Sequence, residues 1–91
     1  MRMYKIKILS TADKEIRSYH KAGNKKALNK IHTIFQELQE HPKTGTGHPE
    51  QLKHELSGYW SRRIDKKNRL IYRIDNNTIT VIIVSAMGHY N

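Results

Sequence analysis

Ninety-one residues suffice for one domain, 1–91, with a sheet packed on one or two helices, and leave too little chain for a second. Seventeen Lys and Arg against eight Asp and Glu give a formal charge of +9, which favours polyanionic partners: nucleic acid first, an acidic protein segment second. The lack of Cys excludes disulfides, thiolate catalysis and Cys-based zinc sites, and no apolar run reaches the length of a membrane span, so no membrane partner is expected.

The opening MRMYKIKILS alternates polar and apolar residues instead of building a signal peptide's apolar block, so a cytoplasmic protein is expected. Tyr4, Ile6 and Ile8 on one side and Lys5 and Lys7 on the other predict a half-buried strand over residues 3–9. Ser10 or Thr11 is placed to cap a short helix, with Asp13 and Glu15 in the first turn, where the helix dipole favours anions. Gly23 and Asn24 break it. A second helix follows, its apolar stripe made by Ala27, Leu28, Ile31, Ile34, Phe35 and Leu38, and Pro42 ends it. The run PKTGTGHP, 42–49, holds two Gly and two Pro and reads as an exposed loop. Beyond it the period changes to two, predicting strands over 59–64, 69–75 and 78–86 joined by turns at 65–68 and 76–77. The order β-α-α-β-β-β implies an α+β fold, an antiparallel twisted sheet with two helices on one face.

A two-residue turn at Asn76–Asn77 sets Ile74 opposite Ile79, Tyr72 opposite Val81 and Leu70 opposite Ile83, an apolar face that should carry the core. Arg69, Ile71 and Arg73 fall on the other face. A turn spanning Asp65 to Asn68 pairs Arg62 with Ile71 and adds Arg62 to that cationic side. The last strand runs back past Arg69, which brings His89 into its neighbourhood; the position of Glu50 does not follow from pattern.

Cleaving RNA without a metal needs a base for the 2′-hydroxyl proton, a cation for the crowded phosphorane and an acid for the departing 5′-oxygen. Glu50, the one carboxylate between Lys43 and His54, is a candidate base, although a carboxylate so placed is more often a solvated surface residue. His89 titrates near neutrality and suits proton transfer, but it also sits beside a chain end. Arg69 reads either as a phosphate clamp or as a solubilising charge. Tyr90 and Trp60 can stack on bases, and Trp60 can instead be core. The six His include no HExxH pair, the Gly45–Gly47 pair lacks the context of a nucleotide loop, and no Ser nucleophile motif is visible; no metal or other cofactor is expected.

The stretch PEQLKHELSGYWSRRIDKKNRLIY, 49–72, closely resembles the central signature of the YoeB/Txe toxins, a branch of the RelE superfamily, and the pair His89–Tyr90 matches their terminal His-Tyr. The resemblance implies a RelE-like fold and a ribosome-dependent endoribonuclease, an mRNA interferase of a type II toxin-antitoxin system. Such an enzyme would cut translated mRNA in the ribosomal A site, against ribosomal RNA, by metal-independent acid–base catalysis. It would be neutralised by a YefM/Axe-like antitoxin whose tail folds onto it, and a homodimer is implied as well. By resemblance Glu50 is the general base, Arg69 the phosphate stabiliser and His89 the general acid, with Tyr90 in support. Lys53, His54 and Arg63 line the site, and the pattern reading adds Arg62 and Arg73 to the phosphate-binding face. The segment SAMG before His89 and the final Asn91 depart from the family pattern. Two other readings use the same charge: a basic module that coats RNA without cutting, and an inactive relative that only binds an antitoxin.

Overall fold

The computed structural model describes residues 3–88. Strand β1 (Lys5–Ile8) leads into helices α1 (Ser10–Lys21) and α2 (Lys25–Glu40), followed by strands β2 (Glu50–Gln51), β3 (Tyr59–Arg63), β4 (Arg69–Asp75) and β5 (Thr80–Ser85). Among the described residues the strands form one five-stranded sheet in the order β1-β5-β4-β3-β2. The α+β expectation holds. The sheet is mixed, however: β2 to β5 pair antiparallel as predicted, while β1 pairs parallel to β5. A parallel neighbour needs a long covering connection, and the two helices between β1 and β2 supply that length.

Helix α1 starts one residue earlier than its polar residues suggest. Leu9 is the cap and makes no side-chain cap bond, so neither Ser10 nor Thr11 fills that role. The Leu9 N–H still pairs with the Ile83 carbonyl at 3.0 Å while the Leu9 carbonyl accepts from the Asp13 N–H, so the sheet runs directly into the helix. Helix α2 is capped by Asn24, whose side chain accepts from the Ala27 N–H at 3.1 Å. Its stripe packs as expected, with Ala27, Ile31, Ile34 and Leu38 buried against Leu70, Tyr72, Val81 and Ile83 of the sheet.

Both hairpin registers differ from the sequence reading, with opposite consequences. The β4–β5 connection takes four residues rather than two, held by the Asp75 carboxylate, which accepts from the N–H groups of Asn77 and Thr78. Tyr72 therefore faces Ile83 and Ile74 faces Val81. A slip of two leaves the side chains from Thr80 to Ile83 on their expected faces. One extra residue, Val84, then bulges between Ile83 and Ser85.

The β3–β4 slip is one residue, and it inverts a face. Arg63 pairs with Arg69 and Arg62 with Leu70, so Trp60, Arg62 and Ile64 turn toward the helices. Arg62 is 0% exposed, so it is not on the exposed cationic face where it was expected. All five guanidinium N–H donors are used inside: Nε to the Tyr72 hydroxyl (3.1 Å), Nη1 to Glu37 Oε1 (2.6 Å) and the Thr46 carbonyl (3.2 Å), Nη2 to the carbonyls of His41 (3.1 Å) and Thr44 (2.7 Å). Its carbon Cζ lies 5.9 Å from the Tyr72 ring centre, and the Tyr72 hydroxyl donates to the Pro42 carbonyl at 2.7 Å.

The 42–49 loop is exposed at Lys43, Thr44, Gly45 and His48 as expected, but its backbone wraps around Arg62 and Pro42 is buried. Gly45 (φ 122°) passes so close that a β-carbon would collide with the Glu37 carboxylate, and one on Gly47 (φ 85°) would lie 2.8 Å from the Arg63 carbonyl oxygen.

Partial burial raises the Glu37 carboxyl pKa, but hydrogen bonds from Thr46 and Arg62 outweigh it and hold the group below its ordinary 4.5. A carboxyl depressed on folding binds more protons in the unfolded chain. Its contribution is present above about pH 4.5 and is lost as pH falls through the lower folded value. Urea unfolding across that window should show Glu37→Gln losing this part of the wild type's acid dependence. The neighbouring arginines offer a sharper contrast. Arg62→Ala, which strands Glu37 and three carbonyls, should cost about 3–5 kcal/mol, whereas Arg63→Ala on the exposed face should stay within about 0.5 kcal/mol. Equal costs would show that the β3 register is wrong.

Candidate functional site

The sheet face away from the helices gathers the chemistry. Tyr59, Ser61 and Arg63 of β3 stand opposite Arg73, Ile71 and Arg69 of β4, and Glu50 of β2 stands opposite Ser61. The two-residue strand β2 is too short to leave a periodic signal, and it is what fixes Glu50. The Gly47 carbonyl accepts from the Arg63 N–H at 2.6 Å and the Tyr59 carbonyl from the Leu52 N–H at 2.9 Å, so the chain enters and leaves β2 bonded to β3.

Glu50 Oε2 lies 3.9 Å from Arg69 Nη1, and the same nitrogen donates to the Ser61 hydroxyl at 3.4 Å. Both contacts are long, in contrast to the saturated Arg62. Among the described residues they are the polar contacts of this guanidinium, which therefore keeps donors for an incoming anion. Glu50 is 55% exposed and Arg69 21%, so the carboxylate reaches solvent while the cation is recessed. Together with Gln51, Leu52, Lys53, His54 and Leu56 they line an open cavity of about 280 Å³. His54 starts a single 3₁₀ turn at its rim with a left-handed backbone, φ 59°, a conformation costly for a residue with a β-carbon.

The expected residues sort clearly. Glu50, Arg69, Lys53 and His54 meet at one cavity. Arg63 and Arg73 are exposed on the same sheet face but do not line it, and Arg62 is on the opposite face. Trp60 is partly buried and packs against the core, the second of its two expected roles. His89 and Tyr90 lie outside the described residues. The chain up to Gly88 does return to Arg69 as the strand pattern implied, for the Gly88 carbonyl accepts from the Arg69 N–H at 3.2 Å. Ser61 was not anticipated. It is fully buried between Glu50 and Ile71, and only the correct β3–β4 register would have pointed to it.

A family model described as the YoeB-like toxin of bacterial type II toxin-antitoxin systems matches residues 11–90. The chain belongs to this family. Toxin RelK of Mycobacterium tuberculosis is 44% identical over 69 residues, 76% of this chain and 79% of that protein. The YoeB/ParE toxin of Agrobacterium tumefaciens superposes with a TM-score of 0.88 at 26% identity, covering 94% of this chain and 99% of that one. The YoeB–YefM complex of Staphylococcus aureus gives 0.81 at 32% identity over 96% and 98%, and the YoeB dimer from the same species 0.84 at 31% over 97% and 99%. The expected RelE-like fold is therefore the observed one. Among the described residues no helix is long and apolar enough to cross a membrane.

An ion pair as open as Glu50–Arg69 contributes little to folding. In a double-mutant cycle on urea stability, Glu50→Gln and Arg69→Gln should couple by less than about 1 kcal/mol. A larger coupling would mark the pair as structural.

Proposed function

We propose that this YoeB-family toxin is a ribosome-dependent endoribonuclease that cuts translated mRNA in the A site and so halts translation. The observation that carries the proposal is the pairing, at one open cavity, of an exposed carboxylate with a recessed guanidinium that is only loosely held among the described residues, beside the backbone of the segment that leads to His89. An acceptor next to a cation can hold a ribose hydroxyl and its neighbouring phosphate at once.

Glu50 takes the proton from the 2′-hydroxyl, and the freed oxygen attacks the adjacent phosphorus. Arg69 donates N–H groups to the phosphoryl oxygens as charge builds in the phosphorane. Lys53 beside it adds positive charge. The bond from phosphorus to the 5′-oxygen breaks, and His89 supplies the proton that oxygen needs to leave. The products are a cyclic phosphate and a 5′-hydroxyl, with every proton accounted for by two side chains and no resident metal. Tyr90 positions substrate, and Arg63 and Arg73 hold the phosphate backbone on the exposed face.

The charge of +9 suits ribosomal RNA as the surrounding partner. A YefM/Axe-like antitoxin occupies this toxin as YefM accompanies the S. aureus YoeB, with acidic side chains competing for the same cations. Self-association as in the S. aureus YoeB dimer belongs to the same proposal, as does a cytoplasmic location, where ribosomes are.

Primer extension on mRNA from a translating extract should map discrete cuts for the wild type. Glu50→Gln and Arg69→Ala should each lower cleavage by at least about a hundredfold while ribosome binding survives in Glu50→Gln. Undiminished cleavage by Glu50→Gln or His89→Gln would defeat the assignment. An absence of cuts in the wild type, with binding intact, would favour a module that coats RNA.

A further inference from the structure

The last described residues are gripped at four backbone points, and the mechanism above uses none of the groups that grip them. The Ala86 N–H donates to Glu15 Oε1 at 2.8 Å, and its carbonyl accepts from the Tyr19 hydroxyl at 2.6 Å. Two residues on, the Gly88 N–H donates to Asn68 Oδ1 at 3.0 Å and its carbonyl accepts from the Arg69 N–H at 3.2 Å. Asn68 and Arg69 are consecutive. The residue carrying the phosphate-binding guanidinium and the residue before it therefore hold Gly88 from both sides, at its N–H and at its carbonyl, just before His89.

The Asn68 amide has its orientation chosen for it. Its Nδ2 lies 3.2 Å from both oxygens of the Asp65 carboxylate, which also accepts from the backbone N–H groups of Lys67 (2.8 Å) and Asn68 (2.7 Å). A carboxylate only accepts, so it selects the NH₂ side and leaves Oδ1 for Gly88. Gly88 itself has φ 96°, a backbone region that glycine enters at little cost, and a β-carbon there would meet nothing within 4 Å. The turn before His89 is thus held by hydrogen bonds and not by crowding. The departure of SAMG from the family pattern fits this arrangement, because Ala86 and Gly88 act through backbone groups alone.

We infer that Asn68, with Glu15 behind it, is a positioning residue for the general acid: through the backbone of residues 86–88 it fixes where His89 starts relative to Arg69. The inference rests on the reading of His89 as that acid. Its chemistry is selective. Loss of the grip lets the imidazole wander from the 5′-oxygen, which slows protonation of the leaving group but leaves attack by the 2′-oxygen and binding of the phosphate intact.

The test compares single-turnover cleavage on programmed ribosomes of ordinary mRNA and of mRNA whose scissile linkage carries sulfur in place of the 5′-oxygen. A thiolate departs without a proton. With the oxygen substrate, Asn68→Ala and Glu15→Ala should each be slowed by about tenfold to a hundredfold. Both should return to roughly wild-type rate with the sulfur substrate, and Glu15→Gln, which keeps the acceptor, should be near wild type on both. His89→Gln is run alongside. Rescue of His89→Gln but not of the two Ala variants would overturn the positioning role and leave the acid assignment standing. Failure of sulfur to rescue His89→Gln would overturn the acid assignment and the inference with it. Should Asn68→Ala fold poorly by thermal melt, the Glu15→Ala and Glu15→Gln pair decides.

Discussion

The alignment of β3 on β4 is the constraint from which the rest of this structure follows. One residue either way exchanges the two faces of β3, and the observed pairing sends Arg62 inward and Arg63 outward. A guanidinium with no exposed surface is tolerable only with its donors satisfied and its charge matched, and both conditions are met: five donors have five acceptors, and Glu37 supplies the countercharge. Three of those acceptors are carbonyls of residues 41–46. The buried cation thereby converts a stretch rich in Gly and Pro from an unpaired loop into a strap across the sheet.

That strap is how a structural arginine serves the candidate site on the opposite face. Once Thr44 and Thr46 are tied to Arg62, the chain can only continue past Gly47, whose carbonyl pairs with Arg63, into the two residues of β2. Glu50 is then beside Ser61 and Arg69, at the edge of a cavity that Lys53 and His54 complete. The two arginines divide the labour by their surroundings: Arg62 spends every guanidinium donor on the fold, while among the described residues the Arg69 guanidinium makes one long hydrogen bond and one loose ion pair.

Helices, strands and their faces were readable wherever a period was long enough to be unambiguous, as in the stripe of α2 or the alternation of β4 and β5. The β4–β5 hairpin tolerated a misjudged turn because its error was two residues. The β3–β4 hairpin did not, since the distinction between a four- and a five-residue connection is carried by the Asp65 carboxylate bonding to Lys67 and Asn68, which no hydrophobic pattern records. The parallel pairing of β1 is a long-range choice that local alternation does not encode. For the site, the residue types and the family signature marked Glu50, Arg69, Lys53 and His54, yet pattern alone was silent on where Glu50 sits. Ser61 and Asn68 stayed invisible because an ordinary Ser in a strand and an Asn in a turn have no chemistry until their partners are known.

The proposed convergence of base, guanidinium and acid on one linkage is tested most directly by a structure of the toxin on a ribosome whose mRNA carries a 2′-O-methyl group at the scissile nucleotide. Glu50 should stand within about 3–3.5 Å of the modified 2′-oxygen, Arg69 against the phosphate and His89 toward the 5′-oxygen, with Arg62 still enclosed and away from RNA. An RNA path that leaves Glu50 and Arg69 on different sides of the scissile phosphate's neighbours, or that draws Arg62 out to meet it, would contradict the mechanism and the fold on which it stands.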